Sequence, residues 1–249
     1  NMGLNYLSSS IDWCEKNFVY SNYIAEFWNT LSSVIIMLFG LLGLYHTNTI
    51  KCDIKYKILY SFLILVGFGS ILFHSTLSMF GHVLDEVAII LCLLYHISFK
   101  SRKSFIISSL LFIIIMFGWH LHFMFTPYII HTLGFIDIYL YYNYFQIKCK
   151  YIPQIKYIFN ISITLFASSV GCWILDNLCF SYIEFHAIWH LLSGLSIYLA
   201  ILCELYIETK YSVIKYSYGI PYIYILNKHE QSMYRLRKDM RHLLRKKKK

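Results

Sequence analysis

The chain has 249 residues, of which 58% are hydrophobic, 19% aromatic and only 14% charged. That balance excludes an ordinary soluble domain of this length and indicates a polytopic membrane protein. The formal net charge of +9 is crowded toward the C-terminal stretch MYRLRKDMRHLLRKKKK with no nucleic-acid motif beside it, which indicates a membrane-flanking tail and no nucleic-acid partner.

Residues 1–23 come first and carry the acidic stretch IDWCEKN. No basic-then-apolar leader pattern precedes the first apolar run, so no cleaved signal peptide is expected. Seven apolar runs follow, at 24–45, 56–77, 82–99, 104–125, 128–147, 157–178 and 186–208. Helices satisfy their own backbone hydrogen bonds in lipid, so the runs predict an all-α fold. The expected architecture is one bundle of seven transmembrane helices over 24–208, followed by a basic tail over 209–249. Of the 22 Lys and Arg residues, all but Lys16 fall in the loops between spans one and two, three and four, and five and six, or in that tail. The asymmetry places the C-terminus in the cytosol and the N-terminus on the lumenal or extracellular side.

This topology brings polar residues from four spans to one membrane depth. Span two ends in GFGSILFHSTL, with Ser70 and His74; span three begins in HVLDEVAII, with Asp85 and Glu86. Span six ends in WILDNLCF, with Asp176, and span seven begins in FHAIWH, with His186 and His190. Ionisable groups at such depth are costly and mark functional sites. His186 and His190 are four residues apart and share a helix face, so both imidazoles can reach one ion. A third histidine completes the set used by catalytic zinc, with a carboxylate near it as general base. Each residue also has a plainer account. Histidines bridge helices by hydrogen bonds, Asp85 is an acid at a helix N-terminus, and Ser70 sits among small packing residues. His46 and His96 lie toward the cytosolic ends of their spans, whereas His120, His122 and His131 lie toward the site end. Glu86 points about 100° away from Asp85 and is not expected to share its role.

Taken in order, IDWCEKN, IAEFWNT, GFGSILFHSTL, VLDEVAI, LDN and FHAIWHLLSG resemble the alkaline ceramidase family of seven-span membrane hydrolases. The motifs run from residue 11 to about residue 194. The resemblance implies zinc on His74, His186 and His190, with Ser70 and Asp85 as catalytic serine and aspartate. It also implies a calcium site on Asp12, Trp13, Glu15, Asn17 and Glu26, with Trp13 and Asn17 acting through backbone carbonyls. Read alone, the same stretch is more simply an acidic turn capping span one, although its hard oxygens suit Ca²⁺. Lys16 and Phe135 depart from the family pattern, one in the calcium motif and one where a substrate-contacting tyrosine is expected. The implied activity is zinc-dependent hydrolysis of a ceramide-type lipid to a sphingoid base and a fatty acid, within the bilayer. The alternatives are a lipid-binding receptor-like protein on the same three-histidine core, or a hydrolase of another lipid. Asp176 is expected to orient a histidine or to bind the sphingoid head group.

Of the seven cysteines, topology puts only Cys14 and Cys179 on the oxidising side, so they are expected to form one disulfide; two free thiols are the alternative. Lys246 and Lys247 stand fourth and third from the end of the sequence. That matches a dilysine retrieval signal, hence residence in the endoplasmic reticulum or Golgi membrane, and equally a patch for anionic lipid.

Overall fold

The computed structural model describes residues 8–9, 11–50, 52–98, 106–108, 110–111, 126–148, 153–179, 183–209 and 212–234. Six long helices are seen among them. They are α1 (Phe27–Thr49), α2 (Ile54–Thr76), α3 (Met79–Ser98), α4 (Thr126–Lys148), α5 (Pro153–Asp176) and α6 (Phe185–Glu208). They match the predicted spans one to three and five to seven, with ends shifted by a few residues. The predicted span 104–125 falls largely outside the described residues, as do His120, His122, Lys246 and Lys247; residues 106–108 and 110–111 within it are helical. Five helices are long and apolar enough to cross a membrane, namely α1, α2, α3, α6 and Ile155–Asp176 of α5. The protein is therefore a mostly helical integral membrane protein. The helix α4 is as long, but Thr126, His131, Asp137 and Asn143 dilute its apolar character.

Local chemistry sets the helix ends. The Asp53 side chain accepts from the Lys55 amide at 3.0 Å and caps α2. Leu77, in the left-handed region at φ 48°, closes α2 by returning its N–H to the Phe73 carbonyl. Proline opens α5, where its missing N–H costs nothing. The bundle packs α1 on α2, α2 on α3, α3 on α4, α5 on α6 and α6 back on α1. Glycines let α2 and α3 meet backbone to backbone. A Cβ on Gly69 would stand 2.9 Å from the Asp85 Cα, and one on Gly81 would stand 2.7 Å from the Phe73 Cα. This closeness fixes the registry of Asp85 against Ser70. A core of Tyr56, Leu59, Tyr60, Leu63, Tyr198 and Leu202 fills the other half of the bundle.

One element departs from the all-α expectation. Within the segment read as a basic tail, β1 (Ser212–Ser217) pairs antiparallel with β2 (Ile220–Ile225). Tyr218 and Gly219 join them, both at positive φ (50° and 81°), as a two-residue hairpin turn requires. The hairpin packs on the bundle rather than trailing from it. Ile223 is buried in the main core, the Tyr198 hydroxyl donates to the Pro221 carbonyl at 2.8 Å, and Tyr222 stacks on His46.

Candidate metal centre and active site

Three histidines from two helices meet in the interior. His74 lies in the last turn of α2, and His186 and His190 lie in the first two turns of α6. Their rings form a near-equilateral triangle, with centroids 5.0, 5.0 and 4.7 Å apart. One nitrogen from each lies within 4.8 Å of the others, and all three residues are buried.

Hydrogen bonds on the outer ring nitrogen aim the facing nitrogens of His74 and His190 inward. The Ser32 hydroxyl donates to the Asn29 carbonyl at 3.0 Å, so its oxygen is free to accept from His190 Nδ1 at 2.9 Å. That puts the proton on Nδ1 and the lone pair on Nε2. His74 Nδ1 faces the Glu26 carboxylate, an acceptor, which leaves Nε2 as its lone-pair atom. That Nε2 is buried with no hydrogen-bond partner. His186 is held by Asp176, whose Oδ1 accepts the His186 backbone N–H at 3.2 Å and whose Oδ2 stands 3.7 Å from Nδ1. The Trp13 ring lies against His186, with centroids 4.0 Å apart. Carboxylate or hydroxyl partners on the outer nitrogen are how metal-ligating histidines are oriented. A buried imidazole nitrogen with no partner is costly unless something binds it. The donor set therefore fits a metal ion that favours imidazole.

Ser70 and Asp85 border the same space. The Ser70 hydroxyl lies 2.9 Å from Ser33 Oγ and 3.3 Å from His190 Nε2. Ser33 spends its own proton on the Asn29 carbonyl at 2.6 Å, so Ser70 is the donor of that pair. Asp85 is buried, and its Oδ1 has no partner. Both residues line a cavity of about 940 Å³ empty volume, its mouth included, whose walls are otherwise mainly apolar and include Ile36, Leu63, Val66 and Ile197. Glu86 turns away, as expected, and pairs with His82 at 3.0 Å.

The N-terminal segment lies over this centre. Backbone bonds from Ala25 N–H to the Ser75 carbonyl and from Glu26 N–H to the His74 carbonyl join it to the end of α2. Glu26 Oε1 accepts the Trp13 N–H at 3.2 Å, and Oε2 accepts from Asn29 at 3.0 Å as well as from His74. Glu15 caps α1, accepting the N–H groups of Trp28 at 2.7 Å and Asn29 at 2.9 Å. Burial lifts its carboxyl above the usual carboxylate range, and the Trp28 and Asn29 amides pull it back. Asp12 is exposed and accepts from the Asn17 amide at 3.2 Å on both oxygens. The five residues expected to hold calcium thus lie in one segment. Glu15 and Glu26 each carry a structural duty there, one as helix cap and one as the orienting partner of His74. Lys16 is exposed, and Phe135 is exposed and packs on Phe166.

Cys14 and Cys179 form a disulfide, with Cα atoms 5.3 Å apart and a separation of 165 positions in sequence. It ties the N-terminal segment to the chain between α5 and α6, next to Asp176. The other cysteines within the described residues, Cys52, Cys92, Cys172 and Cys203, form no disulfide. Closing so long a loop is worth roughly 4–5 kcal/mol in the chain-entropy account, less where the unfolded chain stays in the membrane. Peptide mapping under non-reducing conditions is expected to recover Cys14 and Cys179 in one linked fragment; recovery as two separately alkylated thiols would contradict the bridge.

Sequence reasoning missed Ser32, Ser33 and the service of Glu26 to His74. The spacing of Asn29, Ser32 and Ser33 on one helix face was the available signal. His96, which the sequence places only toward the cytosolic end of its span, bonds Asp137 on α4 at 2.7 Å. His131 donates from Nδ1 to the Pro127 carbonyl at 2.7 Å, packs on Trp173, and borders the same cavity as His190.

A family profile described as Ceramidase matches residues 5–227. Among curated proteins, alkaline ceramidase 1 of Mus musculus is 29% identical over an alignment of 257 positions, covering 88% of this chain and 92% of that protein. Alkaline ceramidase 3 of Mus musculus is 30% identical over 241 positions, covering 86% and 90%. Alkaline ceramidase of Drosophila melanogaster is 31% identical over 261 positions, covering 88% and 89%.

Proposed function

This chain belongs to the ceramidase family, and from that premise we propose that it is a zinc-dependent amidohydrolase that cleaves ceramide to a sphingoid base and a fatty acid within the membrane. The observation that carries this reading is the inward triangle of His74, His186 and His190 beside Ser70 and Asp85, at one end of an apolar cavity. When bound, zinc supplies Lewis acidity toward an amide carbonyl and makes water acidic enough to attack it.

The chain's own groups supply the rest. Glu26, Asp176 and Ser32 fix the three imidazoles. Asp85, with a free buried oxygen, takes the proton of the attacking water and returns it to the leaving amine. Ser70 turns its proton from Ser33 toward the oxygen that gains charge, an interaction worth about 3 kcal/mol at comparable sites. The apolar cavity receives the acyl chain, and Asp176 acts by orienting His186. A calcium ion on Asp12, Glu15 and Glu26, with the Trp13 and Asn17 carbonyls, suits the hard oxygens gathered there and would stiffen the segment over the zinc. Equilibrium dialysis against calcium, with Asp12→Ala as control, checks this.

We extend the reading to topology: seven spans, N-terminus lumenal, C-terminus cytosolic. A disulfide at the site end of the bundle and lysines at the other end support it. Residence in the endoplasmic reticulum or early Golgi belongs to the same proposal, with Lys246 and Lys247 read as a retrieval signal and a patch for anionic lipid as the alternative. Replacing both with Ser is expected to send the protein onward, and an unmoved protein would remove the retrieval signal.

The activity itself is tested by giving purified protein a labelled ceramide and a glycerolipid ester of the same acyl chain. Fatty acid released from the amide and not from the ester is the expected result. Release from the ester alone would make the protein a hydrolase of another lipid, and binding without release would make it a receptor.

A further inference from the structure

Asp85 and Glu86 are neighbours on α3, and the reaction needs one carboxylate as base. Both are buried, and one oxygen of each, Asp85 Oδ1 and Glu86 Oε2, meets no donor. Both border a second cavity of about 380 Å³ empty volume, its mouth included, which joins the larger one along Asp85, Ile89, Ile130, His131 and Trp189. Two carboxylates so close in apolar surroundings repel each other, and a proton held between them relieves the repulsion. An Asp85 that already shares a proton cannot take one from water.

His82 supplies a different relief. It lies one turn before Glu86 on the same face of α3, and its Nε2 stands 3.0 Å from Glu86 Oε1. Among the described residues it is the one donor that reaches Glu86. His82 is itself held in place. Ser9 Oγ lies 3.0 Å from its Nδ1, and the Phe73 ring stacks on it with centroids 4.9 Å apart. Ser9 is tied to the end of α2, its N–H donating to the Leu77 carbonyl at 2.8 Å. The other titratable groups on the walls beside Asp85 have other duties. His186 and His190 on α6 belong to the metal triangle, and His131 on α4 donates to the Pro127 carbonyl.

Resting on the ceramidase reading with Asp85 as base, we propose that His82 is a positioning residue that holds the Glu86 carboxylate apart from Asp85, so that Asp85 meets the attacking water as a lone carboxylate. Without His82, Glu86 has the second cavity to turn through. A proton taken up from solvent and shared with Asp85 then satisfies the open oxygen of each.

The test starts from His82→Phe, which keeps a ring against Phe73 and removes the nitrogen that faces Glu86. Its kcat on ceramide is expected to fall roughly tenfold or more, part of the about 10²–10⁴-fold that a general base supplies, with KM and zinc content unchanged. Adding Glu86→Gln removes the competing carboxylate and is expected to restore most of the rate. His82→Gln, whose amide still donates to Glu86, is expected to keep most of it. The shared proton is also read without turnover. The infrared difference between His82→Phe and the unaltered protein at one pH is expected to show an added protonated-carboxyl band, lost again with Glu86→Gln or Asp85→Asn. If no ceramide is hydrolysed, the ceramidase reading falls and the band still judges His82. Unchanged kcat where ceramide is turned over, or no added band, overturns the proposal. So does a loss that Glu86→Gln does not repair, which would leave His82 as a packing residue. A protonated-carboxyl band that Glu86→Gln removes from the otherwise unaltered protein also overturns it, and this needs no His82 variant to fold.

Discussion

Replacing His190 with Ala is expected to abolish hydrolysis and to empty the metal site while the protein stays inserted in the membrane. Three nitrogens from two helices define the site, and a two-histidine remnant no longer supplies the three protein ligands of a catalytic zinc site. Loss of a mere hydrogen-bond partner of a ligand costs roughly 10–100-fold in affinity or activity, and loss of the ligand itself costs more. His190 also anchors Ser32 and lies beside Ser70, so its removal loosens the serine that faces the reacting carbonyl. The check is zinc content per protein together with turnover, on protein extracted from membranes and shown to run as a single species. Normal turnover would remove His190 from the centre.

Asp85→Asn is expected to do the opposite to the metal. Zinc stays, because Asp85 is not one of the three ligands, and the amide keeps the carboxylate's shape where α3 crosses Gly69. Activity falls by about 10²–10⁴-fold, the range for loss of a positioned general base. The drop is expected in kcat more than in KM, since an interaction made only in the transition state is being removed. Full activity in a zinc-loaded Asp85→Asn protein would assign proton transfer to another group. Together the two variants separate holding the metal from moving the proton.

Much of the centre was legible in the sequence because helices convert spacing into position. H-x-x-x-H puts His186 and His190 on one face, and alternating spans set His74, Asp85 and Asp176 at their depth. The pairing of Cys14 with Cys179 followed from sorting thiols by compartment. What spacing does not encode is which atom faces which. Glu26 read as a calcium ligand, and its bond to His74 depends on the fold of the segment before α1. Ser32 and Ser33 belong to no motif, and their part shows only in the two bonds that each hydroxyl makes. His96 was passed over because its partners, Asp137 and Glu204, are 41 and 108 residues away in sequence, on helices whose lateral order no hydropathy pattern fixes. The hairpin was missed for a different reason. Its basic neighbours dominated the reading, although SVIKYS and IPYIYI around Tyr-Gly are two β-branched and aromatic runs about a turn.

The central proposal is that the buried triangle of His74, His186 and His190 holds the ion that makes this membrane protein a ceramide hydrolase. The most direct measurement is turnover of labelled ceramide by purified protein stripped of metal and then titrated with zinc. The prediction is no release of fatty acid from the stripped protein, and activity that rises to a plateau at one zinc per chain. Undiminished release by protein shown to contain no metal would contradict it.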